Sequence, residues 1–182
     1  MKVSKILVFI CSMSIVFVGG ILLIKASAQE NNITNQQIEI IRGNCTSIKN
    51  ILRQLRASDA LLRVNRGQTY ESISTKLMNG FNSRVSNNNF NNSNFVSITK
   101  NFNQALNTFR SSYKIYEENL SSVINIDCSK NPEMFYNSVV EARDKRNRVH
   151  ANIIILNQYV YQYQSILNKF EKDYKPAING VN

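Results

Sequence analysis

The chain has 182 residues, room for one ordinary domain plus a targeting segment, and it contains no Trp, six Gly, two Pro and 27 Asn. So few Gly and Pro residues argue against a many-turned β-sandwich and against a doubly wound α/β fold. The formal net charge is +10, falling to +7 without Lys2, Lys5 and Lys25. This suits an anionic environment, such as a membrane surface or an envelope polymer, or else a basic surface that serves solubility alone.

Lys2 and Lys5 precede residues 6–24, the unbroken uncharged run ILVFICSMSIVFVGGILLI, which is followed by Lys25 and Ala26-Ser27-Ala28. The small residues form a site that a signal peptidase can cut before Gln29. The run is also long enough to span a bilayer, so residues 1–28 read as a cleaved signal peptide or as a retained membrane anchor through residues 6–24. The leading lysines keep that end cytoplasmic. In both readings everything after residue 28 is extracytoplasmic, either anchored with its C-terminal region outside or secreted. Cys45 and Cys128 are then expected to form a disulfide, with Cys11 inside the apolar run and out of play.

Residues 29–37 read as a short polar stem. From residue 38, apolar residues recur at steps of three and four: Ile41, Cys45, Ile48, Leu52, Leu55, Leu62, Tyr70, Ile73, Leu77 and Phe81. This predicts a helix over about 38–85, with a bend possible at Gly67. A second stripe, from Phe95 and Phe102 through Phe109, Tyr113 and Tyr116 to Val123, predicts a helix over about 94–126. A third, from Phe135 to Tyr174, predicts one over about 132–174, with Asn131 as N-cap, Pro132 at the first position and Glu133 on the positive end of the helix dipole. Lys175-Pro176 is expected to stop it, leaving 176–182 as a tail. Domain 38–175 is thus expected to be all-α, an elongated antiparallel three-helix bundle with coiled-coil-like packing behind an N-terminal apolar helix.

The two cysteines lie equally far from a midpoint at the start of the asparagine tract SNNNFNNSNF, which makes that tract the tip of a disulfide-clamped hairpin. Asn87, Asn88, Asn89, Phe90, Asn91 and Asn92 then read as a plain turn or as a contact loop.

Charge enters the stripes at one height. Asp59 and Arg66 stand where Leu is expected, and Arg146 breaks the third stripe. Mirroring about the midpoint sets Asp59 level with Lys114 and Arg63 level with Arg110, and reflection of the third helix brings up Arg146 and His150. One reading is a hydrated polar layer that fixes register. The other is an anion pocket in which Arg63, Arg66, Arg110 and Arg146 hold phosphate or carboxylate.

Motifs for catalysis are missing. There is one His, no G-x-S-x-G elbow, no P-loop, no G-x-G-x-x-G and no H-E-x-x-H, so neither an enzyme nor a bound cofactor or metal is expected. The run NQYVYQYQ, residues 157–164, offers tyrosines that either pad the bundle edge or form a binding patch. Nucleic acid is a poor fit as a partner, since no reading module accompanies the charge. Protein, anionic envelope polymer and self-association all fit.

The segment LLRVNRGQTYESISTKLMNGFNSRV, residues 61–85, with FRSSYKIYEENL, INIDC and EARDKRNRV downstream, resembles small exported helical proteins of candidate-phyla, Saccharibacteria-like bacteria. The resemblance covers most of the exported region. It implies a bacterial envelope protein and brings no activity or site residue with it. The expected function is that of a non-enzymatic cell-envelope or surface protein, a helical rod mediating interaction or adhesion. The alternative is a ligand-binding module holding an anionic group at the arginine-rich layer.

Overall fold

The computed structural model describes residues 33–179, so the apolar run 6–24, the cut point after Ala28 and most of the stem lie outside the described residues. Within this range all regular structure is helical. The first arm is a single right-handed path: α1 (Asn35–Ser72), a π-helical segment (Ile73–Asn79) and α2 (Gly80–Asn87). α3 (Ser93–Asn125) and α4 (Pro132–Asn179) follow.

α1 begins three residues earlier than the apolar stripe suggests, because Thr34 and Gln37 form a capping box. Gln37 N donates to Thr34 Oγ1 at 3.3 Å, and Thr34 N donates to Gln37 Oε1 at 2.8 Å. α3 ends at Asn125, where Ile126 is extended. Asp127 Oδ1 then accepts from Ser129 N and Lys130 N, and the Asn131 carbonyl accepts from Phe135 N at 3.0 Å to open α4. α4 continues past Pro176 to Asn179. A proline removes one backbone donor, and this close to the end a single missing bond does not stop the helix.

Contacts between the arms fix their directions. Cys45 is bonded to Cys128 at one end, with a Cα–Cα distance of 5.5 Å, and Asn82 meets Thr99 at the other, so the first arm and α3 are antiparallel. α4 runs alongside the first arm, as the pairs Asp59–Arg146 and Asn82–Tyr163 show. The 48 residues of α4 give a rod about 70 Å long at 1.5 Å per residue.

The core is mainly the seam between α3 and α4. Phe102, Phe109, Leu120 and Val123 of α3 and Phe135 and Leu156 of α4 are almost wholly buried. α1 contributes only Ile41, Asp59 and Tyr70 as buried residues. It lies on the α3–α4 pair as a half-buried third helix, leaving Ile51, Leu61, Leu62 and Val64 exposed.

Two expectations about the first arm need correction. Beyond Tyr70 the buried positions are Ser74, Met78, Asn82 and Val85, whereas Leu77 is 62% exposed and Ile73 and Phe81 are half-buried. The i→i+5 turns of the π-helical segment put extra residues into each turn, and the inward face moves on by one residue. The irregularity lies here, several residues beyond Gly67. The arms are also unequal: from Cys45 to Asn82 the first uses 37 residues, and from Thr99 to Cys128 the second uses 29. Wide π turns shorten the first arm, and the extended backbone at Ile126 lengthens the second. The turn therefore centres on Phe90, not on the cysteine midpoint.

That turn closes the first arm with a Schellman motif. Asn89 is left-handed at φ 59, Phe90 N donates to the Val85 carbonyl, and Asn89 N donates to the Ser86 carbonyl. Asn88 Nδ2 donates to the Arg84 carbonyl, Asn91 Oδ1 accepts from Ser93 N, and Asn92 Nδ2 donates to the Asn82 carbonyl. Phe90 packs on Phe170 and Tyr174. Turn chemistry thus accounts for Asn88, Asn89, Asn91 and Asn92, and Phe90 ties the turn to α4.

Candidate functional site

The mid-rod layer is built around Asp59. Its carboxylate is clamped by Arg146, with Nε donating to Oδ2 at 2.7 Å and Nη2 to Oδ1 at 2.9 Å, and it accepts from the Tyr116 hydroxyl at 2.7 Å. One residue from each arm meets there. Burial pushes the Asp59 carboxyl up, but the hydrogen bonds from Arg146 and Tyr116, with the Arg146 charge, outweigh it and hold the group below its ordinary 3.8. The same bond raises Arg146 further above its usual value, against the effect of burial. Burial, followed by the bond to Asp59, lifts the Tyr116 hydroxyl well above the usual phenol range. Asp59 is ionised and Tyr116 neutral at any physiological pH.

Toward the turn from this layer, α1 stands off the α3–α4 pair. Residues 61–66 are all exposed, and α1 buries a side chain again only at Tyr70. The gap is a cleft of about 390 Å³. Asp59 and Arg146 line it at one end, Phe109, Tyr113, Val149 and Ile153 form apolar walls, and Leu62, Arg63, Arg66 and His150 border it. Arg63 lies over the Tyr113 ring, its Cζ 5.1 Å from the centroid, a cation–π contact. Burial raises the Tyr113 hydroxyl and Arg63 opposes the shift. Arg66 makes no hydrogen bond or ion pair among the described residues. Chemically the cleft is an apolar slot with unspent positive charge on one side.

Of the residues singled out in the sequence, Asp59, Arg63, Arg66, Arg146 and His150 converge here. Arg110 and Lys114 do not. Arg110 pairs with Glu71, and Lys114 is exposed and lies 3.8 Å from Glu118 on its own helix. Mirroring about a midpoint gives height along the rod and says nothing about azimuth. At the height of Asp59, the inward positions of α3 are Tyr113 and Tyr116. Arg63 faces Tyr113 for the same reason. Tyr116 and the apolar walls were visible only as core positions, although an ionised Asp in a stripe requires a donor, and Tyr113, Tyr116 and Arg146 were polar groups within the neighbouring stripes.

Elsewhere, Tyr161 of the tyrosine run is 71% exposed, while Tyr163 is buried. Among the described residues, no group of three or more His, Cys, Asp or Glu side chains is placed to hold a metal ion, and no helix is long and apolar enough to cross a membrane. No family model, no curated protein and no solved structure matches this chain.

Proposed function

We propose that this chain is an exported, non-enzymatic protein of the cell envelope or surface, a disulfide-clamped helical rod that works by binding an anionic partner. One observation carries this reading. Seven carboxylates are already matched in ion pairs: Glu39, Asp59, Glu71, Glu117, Glu118, Asp127 and Glu141. Arg66, Lys76, Lys100, Arg143 and Arg148, in contrast, carry no hydrogen bond or ion pair among the described residues. The unspent charge of the rod is positive, which favours polyanion or acidic-protein partners. The Cys45–Cys128 disulfide fits the oxidising compartment to which the amino terminus points, and closing a loop of this length contributes about 4 kcal/mol. Residues 6–24 anchor the rod or are removed with the signal, and the Asn87–Asn92 turn, Tyr161 and self-association are further contact options.

The test is retention of the oxidised protein on envelope material. Binding should weaken steadily as salt is raised. No retention at physiological salt would remove the reading. Protease added to intact cells should cut the rod, and full protection would remove the assignment to the outside.

A second reading has its own observation: Arg63, Arg66, Arg146 and His150 border a single cleft, as expected of a module that holds an anionic group. In this reading Arg66 and Arg63 take the anion, because Arg146 is already neutralised by Asp59.

A further inference from the structure

We infer that the cleft between α1 and the α3–α4 pair takes a small amphipathic anion, an alkyl or aryl chain ending in a phosphate or carboxylate; this rests on the reading of the arginine layer as an anion site and names the ligand class. Three features converge on it. The volume of about 390 Å³ suits a small molecule and not a folded polymer segment. The walls are carbon-rich: Phe109 and Val149 reach the core, and Tyr113 and Ile153 lie beside them. A free inorganic anion would gain nothing from such walls and would lose hydration against them. A hydrocarbon body would gain roughly 25 cal/mol per Å² of apolar surface covered.

Charge gives the ligand its direction. The Asp59–Arg146 pair at one end is internally neutral, with Arg146 bidentate on the carboxylate. The unspent guanidinium is Arg66, with Arg63 held over the Tyr113 ring close by in the sequence. An anionic head therefore sits at the Arg63–Arg66 edge and the chain lies inward along Tyr113 and Ile153. Leu62 fits this arrangement. It occupies a stripe position yet is 49% exposed, and it borders the cleft, where a bound chain would cover it. The stand-off of α1 between Asp59 and Tyr70 supplies the room.

Titration calorimetry on the full oxidised chain with three probes tests the inference: inorganic phosphate, 1-octanol, and octyl phosphate below its micelle concentration. Octyl phosphate is expected to bind at least tenfold more tightly than either of the others. Arg66→Gln should weaken it about five- to tenfold and Leu62→Ser about threefold, with helicity unchanged because both side chains are exposed. Arg148→Gln, a free arginine away from the cleft, should leave it unchanged. If inorganic phosphate binds as tightly as octyl phosphate, the anion site stands and the amphipathic ligand is wrong. Equal binding of 1-octanol, or an equal loss in Arg148→Gln, overturns the assignment of the head group to Arg66. If no probe binds, the anion reading and the inference fall together. Competition by soluble dihexanoyl phosphatidylglycerol would support a lipid as the source of the amphiphile, and its exclusion while octyl phosphate binds would support a free single-chain solute.

Discussion

The first arm holds the other two through two polar hubs, and the two are made from opposite materials. Near the turn, Asn82 accepts from the Tyr163 hydroxyl of α4 at 2.7 Å and donates to Thr99 Oγ1 of α3 at 2.9 Å, and Thr99 passes the chain on to the Phe95 carbonyl. At mid-rod, Asp59 accepts from Arg146 of α4 and Tyr116 of α3. Each hub joins three helices through a single side chain. The neutral hub sits inside an aromatic cluster of Phe81, Phe95, Tyr163 and Phe170, with its members fully engaged. The charged hub sits beside a cleft, and its arginine side chain is 48% exposed. A neutral hub tolerates a dry, close-packed surrounding, whereas a charged one needs water or counter-charge nearby. One end of the rod is thereby close-packed, and its middle leaves a cleft open to solvent.

The largest expected effect separates these regions. Phe95 is 2% exposed, with ring centroids 5.2 Å from Phe81 and 5.3 Å from Tyr163. Phe95→Ala should cost about 3–5 kcal/mol, read from the urea midpoint. An equally buried aromatic that lines the cleft, Phe109, has neighbours with free space to relax into, so Phe109→Ala should cost less. Equal losses would mean that the cleft is no looser than the aromatic end.

Removing the hubs comes next. Asn82→Ala leaves the Thr99 hydroxyl without its donor and the Tyr163 hydroxyl with only its longer bond to the Met78 carbonyl at 3.2 Å, among residues 7% exposed or less, for about 2–3 kcal/mol. Asp59→Ala strands Arg146 and Tyr116, but the arginine can turn into water, so about 2 kcal/mol is expected. The triple change Asp59→Leu, Tyr116→Phe and Arg146→Leu should recover most of that loss, because the pair, its desolvation and the buried hydroxyl disappear together. A triple variant as unstable as Asp59→Ala would assign the layer more than a register role.

How much of this was legible follows from what each kind of reasoning measures. Periodicity located α3 and α4 within a residue or two at most ends, and it marked Asp59, Arg66 and Arg146 as charges out of place, because spacing reports which face a residue occupies. The two cysteines outside the apolar run were expected to pair, and their spacing put the turn a few residues too early. The π-helical segment was not legible: residues 73–79, ISTKLMN, contain no Pro or Gly, and only the packing of Met78 in place of Leu77 reveals the change of face. Lys114, set level with Asp59, points away from it for a related reason, since height was counted and direction was not. The cleft was invisible because it depends on how far α1 stands from its neighbours, which no single stripe encodes.

Acid and alkali should attack the two hubs separately. The Asp59 carboxyl is held below 3.8 in the fold, so its contribution is present above that value and is lost as pH falls through the lower folded value. Tyr163 is pushed by burial from 10.0 up to about 12. A raised tyrosine favours the neutral form in the fold, so its contribution is present below pH 10 and fades between 10 and 12. Thermal unfolding across pH should therefore show an acid limb that Asp59→Asn reduces and an alkaline limb that Tyr163→Phe reduces. The Tyr113 and Tyr116 hydroxyls, also raised, should leave part of the alkaline limb in place. Asp59→Asn should also trim the Tyr116 share of the alkaline limb, so the discriminating result is the acid limb in Tyr163→Phe: its reduction would mean that the hubs are not independent.

The smallest expected effect bears on the stretch of α1 over the cleft. Gly67 lies inside the helix, and a Cβ built there meets nothing within 4 Å. Gly67→Ala therefore adds helix propensity without a clash and should stabilise the chain by about 0.5–1 kcal/mol. Gly43, equally open, lies two residues from Cys45 of the disulfide, where the chain is already restrained in the unfolded state. A stand-off helix with few buried contacts depends more on its own backbone preference than a packed one does. Amide exchange should therefore slow over residues 61–69 in Gly67→Ala, while Gly43→Ala should leave that stretch unchanged. If both variants slow it equally, the stretch opens only with the whole molecule, and the contrast between a packed end and a loosely held middle would have to be given up.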